Sequence, residues 1–229
     1  MSIHHVARFT LPLALLLSLA ACEDPAADKP KATVSSAAPA ATMAAPAAKP
    51  TTAPATAPAA AGAETLTVDP AASTIGFVGS KVTGKHEGKF EKFTGTISLA
   101  GGKAEGGSVK FEIDLASVKT DDAKLDGHLK APDFFDVAKY PKATFTSSEV
   151  KAGGDKGATH TLTGELDFHG VKKTISFPAT VTVADDAATA TSEFSLNRKD
   201  FGVAYAGMKD DLIRDEVVLK LSIKAPRKK

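Results

Sequence analysis

Few side chains in this chain can do covalent or coordination chemistry, and one of them is placed for a specific reaction. Cys22 is the sole thiol and follows Leu19-Ala20-Ala21 at the end of an apolar run. A thiol so placed can be alkylated, and the run in front of it reads as a leader to be cut away. Of the six histidines, His4 and His5 fall before that cut, while His86, His128, His160 and His169 lack close ligand spacing in sequence. No serine stands in a Gly-x-Ser-x-Gly elbow. With no nucleophile and base at a working spacing, and no cofactor or metal motif, the chain reads as a binding protein rather than an enzyme. Arg198, Lys199 and Arg214 share one irregular segment. Arg198 is the candidate for an anionic head group, because a planar guanidinium can meet a phosphate at two points. Its competing use is a loop-fixing salt bridge to Asp200, Asp210 or Asp211.

The leader has Arg8 as its only formal side-chain charge, then an apolar core from Phe9 to Leu19. That is the grammar of a secretory leader, and it is shorter than the ~20 apolar residues that span a bilayer. Its ending resembles the lipobox of bacterial lipoproteins, whose cysteine receives a diacylglycerol. Residues 1–21 are therefore read as a lipoprotein signal peptide, and Cys22 as the lipidation site. The expected location is the bacterial cell envelope, lipid-anchored and facing the periplasm. Glu23 and Asp24 resemble acidic sorting signals for the inner membrane, but such rules vary and the choice of membrane stays open. A lone cysteine permits no internal disulfide, so the core and backbone must hold the domain. With 28 basic and 27 acidic residues, net charge +1, there is no extended field to capture nucleic acid.

Residues 22–63 are read as lipidated cysteine plus linker. Alanine and proline dominate, Val34 and Met43 are the only large apolar side chains, and Pro39, Pro46, Pro50, Pro54 and Pro58 oppose regular helix. A disordered tether of this length could reach on the order of 100 Å if extended, or roughly 35 Å as a coil. Residues 64–229 carry nearly all the aromatics and form one domain.

The period of that domain is two. Val109, Phe111, Ile113 and Leu115 alternate with polar residues, as do Ile175, Phe177, Ala179, Val181 and Val183, and again Val217, Leu219, Leu221 and Ile223. Weaker copies elsewhere bring the total to eight or nine strands, separated by turns such as Ala100-Gly101-Gly102, Gly153-Gly154-Asp155 and Asp185-Asp186. Strands with one apolar face each must pack as a sandwich or close into a barrel. A short helix is expected after Thr120 as its cap, with Leu125 and Leu129 on one face. Phe134 and Phe135 would then plug one end, and the segment 198–214 would cover an opening or edge.

The order of elements and several runs resemble the YceI-like family of exported lipocalin-like barrels. The matching residues are Ser117, Thr120, Asp126, His128 and Leu129, Asp133-Phe134-Phe135-Asp136, Tyr140-Pro141 and Phe145. They continue at Leu162-Thr163-Gly164, His169-Gly170-Val171-Lys172 and Arg198-Lys199-Asp200-Phe201-Gly202-Val203. The chain departs from the pattern at Ala72-Ser73 and in the Gly- and Lys-rich stretch from Gly79 to Lys89. The resemblance implies an all-β, antiparallel eight-stranded barrel with one or two short helices, holding an amphiphilic lipid, a prenyl chain among them, in its interior. The ligand-binding set is then expected to be Phe77, Phe93, Ile97, Phe111, Ile113, Phe145, Leu166, Phe168, Phe177, Phe194 and Arg198. Gly95 and Gly164 share the inward phase and would either leave room for a chain or relieve bends at corners. The alternative is a filled barrel acting as an envelope stress or protein-interaction module. Oligomeric state is not legible.

Overall fold

A computed structural model describes residues 24–36 and 63–227. Residues 1–21, expected to be a signal peptide, Cys22 and the proline-rich stretch 37–62 lie outside the described residues. The strands are β1 (Thr33–Ser36), β2 (Ala63–Thr67), β3 (Thr74–Lys81), β4 (Gly84–Phe90), β5 (Phe93–Ala100), β6 (Lys103–Asp114) and β7 (Val118–Thr120). After helix α1 (Ala123–Leu129) come β8 (Lys142–Ala152), β9 (His160–Phe168), β10 (Val171–Val183) and β11 (Ala187–Asn197). The chain ends with β12 (Gly207–Met208), β13 (Asp211–Leu212) and β14 (Glu216–Pro226). Twelve of these form one antiparallel sheet in the order β2-β5-β6-β8-β9-β10-β11-β14-β3-β4-β7, with β1 added on β10. Eight of them, β3, β5, β6, β8, β9, β10, β11 and β14, reach eight residues or more and make the expected all-β barrel wall. The shorter strands are additions to it.

The ladder does not close strand to strand. The end at β2 approaches β14 through a single bond, the Asp69 N–H to the Lys224 carbonyl at 2.9 Å, while Glu91 N–H to Ser117 O at 3.2 Å prolongs the β4–β7 pairing and Asp114 N–H to Lys92 O at 3.0 Å prolongs β5–β6. Turn chemistry sets the register between neighbours. His169 and Gly170 both have positive φ, 54° and 74°, and form a two-residue hairpin between Phe168 and Val171, as a type I′ turn requires.

The wall has a second seam. β10 pairs with β11 only from Thr180 to Val183, whereas its lower half pairs on the other side with β9 alone. Pro178, which has no N–H, stands where the pairing stops. The segment after Cys22 fills that gap. Thr33–Ser36 pair with Lys173–Ser176 of β10, while Ala32 N–H donates to Ser195 O at 2.9 Å and Ser195 N–H to Pro30 O at 2.8 Å across on β11. Ala26 is buried with Val78 and Val218 on the outer face, and Lys29 and Lys31 pair with Glu193 and Glu216. This corrects the expectation that the whole of 22–63 is a structureless tether. Residues 24–36 are a strap on the barrel, because unpaired strand edges reward any backbone that can complete their hydrogen bonds, apolar or not.

The break in the strand series is helical as expected, but its cap differs. Asp122, not Thr120, caps α1, accepting from Lys124 N–H at 2.8 Å. Thr120 instead serves Asp126, which is buried and accepts from the Thr120 N–H at 2.6 Å, the Thr120 hydroxyl at 2.8 Å and Lys119 Nζ at 3.2 Å. These bonds, the Thr120 hydroxyl foremost, hold the Asp126 carboxyl below its ordinary pKa against the opposing effect of burial. A depressed folded-state pKa adds stability above the unfolded value of about 3.9 that is lost as pH falls through the folded value. Asp126→Asn is therefore expected to lower the denaturation midpoint at pH 7, with the gap from wild type closing below about pH 4. For the strap, Ala32→Pro removes the donor to Ser195 and should speed amide exchange at Ser195 while leaving the β14–β3 ladder protected. Unchanged exchange at Ser195 would show that the strap does not seal the seam.

Candidate functional site

The inward faces of the long strands enclose a lumen of about 270 Å³ with an almost wholly apolar wall. Its position follows from register. Phe77 of β3, Leu219 of β14 and Phe194 of β11 lie side by side across three strands, and Phe111 lies beside Phe145 and then Leu166 across β6, β8 and β9. Alternation puts each of these rows on the same face. One end is stoppered by aromatics: Phe135 meets Phe90 and Phe168 at ring-centroid distances of 6.1 and 5.6 Å, and Phe134 meets Tyr205 and His128 at 5.1 and 4.9 Å. Phe134 and Phe135 are both buried. This is the plug anticipated from the sequence, and the irregular segment carrying Tyr205 covers it.

The lumen is bordered by Phe77, Ile97, Phe111, Ile113, Phe145, Leu166, Phe168, Phe177, Phe194 and Arg198. Phe93 is the exception. It is buried in the core but does not border the lumen: it opens β5 directly after the turn from β4, opposite Ile113 of β6. Phe111, Ile113, Leu166 and Phe168 point inward yet are only half-buried, because the lumen leaves part of each without a protein neighbour. The remaining wall is made by residues outside the expected ligand set, among them Ile75, Phe90, Leu219 and Leu221. Their alternation was visible, but their place in the same rows as Phe77 and Phe194 needs the strand order.

The glycines at inward positions do not add open space. A Cβ on Gly95 would fall 2.5 Å from the Phe111 ring, its direct cross-strand partner, and one on Gly88 would fall 2.4 Å from Phe77, again the direct partner. Gly164 is covered in the same way by Phe145 and by the neighbouring strand's backbone. The rings lie against bare backbone, so each aromatic lines the wall thinly instead of projecting across the lumen. Of the two roles weighed for Gly95 and Gly164, leaving room for a chain or relieving bends, the contacts point to a third: the glycines let phenylalanines lie back against the wall.

Arg198 also differs from its expected role. It is buried, and its Nε donates to Arg214 O at 3.0 Å, one terminal nitrogen to Val203 O at 2.7 Å, and the other to Ile213 O at 3.3 Å with Asp215 at 3.5 Å. Burial pulls its pKa below the ordinary arginine value and Asp215 pulls it back up. All three nitrogens are committed to holding the 198–215 segment over the end of the barrel. Neither a head group nor the salt bridges weighed for it, to Asp200, Asp210 or Asp211, is where the guanidinium points. The histidines stand apart from one another: His86 pairs with Asp121 and His128 with Asp133, each at 2.9 Å, His160 lies near Glu105, and His169 meets the Phe201 carbonyl. Among the described residues no three potential ligands converge on a metal position.

A curled antiparallel sheet around an apolar hollow defines a lipocalin-like fold. The chain belongs to the YceI-like family, whose domain model matches residues 66–225. A UPF0312 protein of Pseudomonas putida strain F1 is 36% identical over 126 residues, 52% of this chain and 65% of that one. The chain thus spans just under two thirds of the length of such relatives. Another, from Pseudomonas fluorescens SBW25, is 32% identical over 58% of this chain and 71% of its own. Among solved structures, Burkholderia cenocepacia BcnA superposes with a TM-score of 0.62 at 31% identity, covering 69% of this chain and 99% of that one. A polyisoprenoid binding domain from Saccharophagus degradans shares the fold with a TM-score of 0.56 at 22% identity, covering 71% and 98%.

The packing of ring on glycine is directly testable. Gly95→Ala should destabilise the domain by about 1–3 kcal/mol by forcing the Phe111 ring off the wall, and Phe111→Leu in the same chain should recover part of that loss. Urea unfolding of the single and double variants measures both.

Proposed function

We propose that the protein binds an amphiphile by burying its apolar chain in the lumen, and that it does so from a lipid anchor at Cys22 in the bacterial envelope, facing the periplasm. The carrying observation is the 270 Å³ apolar hollow. Removing hydrocarbon from water is the driving force, and it needs few polar contacts. The fold is shared with a polyisoprenoid binding domain, which supports a prenyl chain as one ligand class. The leader and lipobox-like sequence support export and anchoring. A filled barrel serving only as an interaction module would not keep its aromatics laid back from an interior space.

Volume bounds the ligand. An apolar cavity of about 150 Å³ accepts one benzene, or ~25 Å³ per carbon. A lumen of 270 Å³ then takes about ten carbons, two isoprene units, and the rest of a longer chain must leave through an opening or displace a ring. Each methylene buried is worth about 0.8 kcal/mol, close to a fourfold change in affinity.

A calorimetric titration with alkyl and prenyl phosphates of increasing length tests this. Affinity should rise about fourfold per carbon up to about ten carbons and then level off. Phe111→Arg, which places a charge on the wall, should abolish the saturable uptake in protein that remains folded by circular dichroism. Absence of saturable binding at every length would refute the reading.

A further inference from the structure

We propose that the end of the barrel bearing the β3–β4 and β12–β13 hairpins rests on a bilayer surface, so that the plugged end of the lumen faces lipid. Among the described residues the large apolar side chains exposed to solvent are Val82 (54%), Met208 (74%) and Leu212 (50%). They belong to one patch. Val82 N–H donates to Leu212 O at 3.2 Å, and the Thr83 N–H and hydroxyl donate to the Asp211 carboxylate at 3.1 and 2.9 Å, fastening the two hairpins together. Exposed apolar residues gathered this way mark a contact surface.

The path of the N-terminal segment says what covers it. Asp24 lies 3.0 Å from the guanidinium of Arg214, whose own N–H donates to Ser80 O at 2.8 Å, two residues before Val82. Cys22 is two residues upstream of Asp24, at most ~7 Å of extended chain. A lipid on Cys22 therefore holds this end at the membrane instead of letting the domain swing on a long tether. The inference rests on lipidation of Cys22, the anchoring half of the proposed function. Charge fits a bilayer as well. Lys85 and Lys209 flank the patch with long stems that can lie along it and reach head groups. Asp211 is already paired with Lys81, leaving Asp210 at the hairpin tip as the opposing charge. Arg198, Val203 and Ile213 border the lumen at this same end, so a chain passing between bilayer and lumen would cross little water.

The chain contains no tryptophan, so one introduced indole reports alone. Lipidated full-length protein carrying Met208→Trp is reconstituted in vesicles of phosphatidylethanolamine and phosphatidylglycerol with brominated acyl chains. Lys151→Trp, on a side chain 70% exposed at the opposite end, is the control. The expected result is a blue-shifted emission and severalfold stronger bromine quenching at position 208 than at 151. Protein that floats with the vesicles but is quenched equally weakly at both sites would overturn the docking and leave the anchor standing. Protein that does not float would overturn the anchor and the docking with it. A blue shift at 208 without bromine quenching would assign the patch to a protein surface and also overturn the proposal.

Discussion

The structure depends on an interior kept short of full packing. Protein cores ordinarily fill to crystal density, and a wall of eight strands with apolar inner faces would be expected to collapse onto itself. Here the aromatic side chains that could fill the barrel lie against its wall, because their cross-strand neighbours are glycines: Phe111 over Gly95, Phe77 over Gly88. The stacked pair Phe177 and Phe194, 4.3 Å between centroids and 12° from parallel, similarly shares one layer instead of opposing across the space. Glycine in a strand ordinarily weakens it. In this wall the loss is offset by the buried face of a ring, and what remains between the rings is the lumen.

A hollow barrel needs a continuous wall, and here continuity is achieved with unlike parts. Most of the sheet is a regular antiparallel ladder, but two seams are not. At one, a single hydrogen bond joins Asp69, after β2, to Lys224 of β14. At the other, the chain following Cys22 is laid between β10 and β11. The aromatic stopper and the loop latched by Arg198 close one end. Solvent exclusion therefore draws on segments distant in sequence, including residues a short way after Cys22.

Much of this was legible beforehand because its cause is local. Alternation over Val109–Leu115, Ile175–Val183 and Val217–Ile223 reports a half-apolar strand whatever its neighbours, and the rows of phenylalanine that border the lumen follow from that phase. What was not legible depends on partners chosen by the fold. Thr33-Val34-Ser35-Ser36 carries little apolarity to betray a strand; it is ordered by unpaired backbone on β10 and β11. Arg198 has three carbonyl acceptors at residues 203, 213 and 214, which become neighbours only after the loop folds back. Phe93 shares the phase of Ile97, yet sits at the turn from β4 into β5, off the lumen. Thr120 had the chemistry of a cap, but Asp122 took that place and left the hydroxyl to Asp126.

The functional account stands on hydrocarbon occupying the lumen in the cell. Protein isolated from the envelope in a detergent too bulky for a 270 Å³ hollow, extracted with organic solvent and examined by mass spectrometry, tests this most directly. The account predicts a stoichiometric apolar-chain compound in wild-type extracts that is missing from folded Phe111→Arg protein. Extracts of the two that do not differ would contradict it.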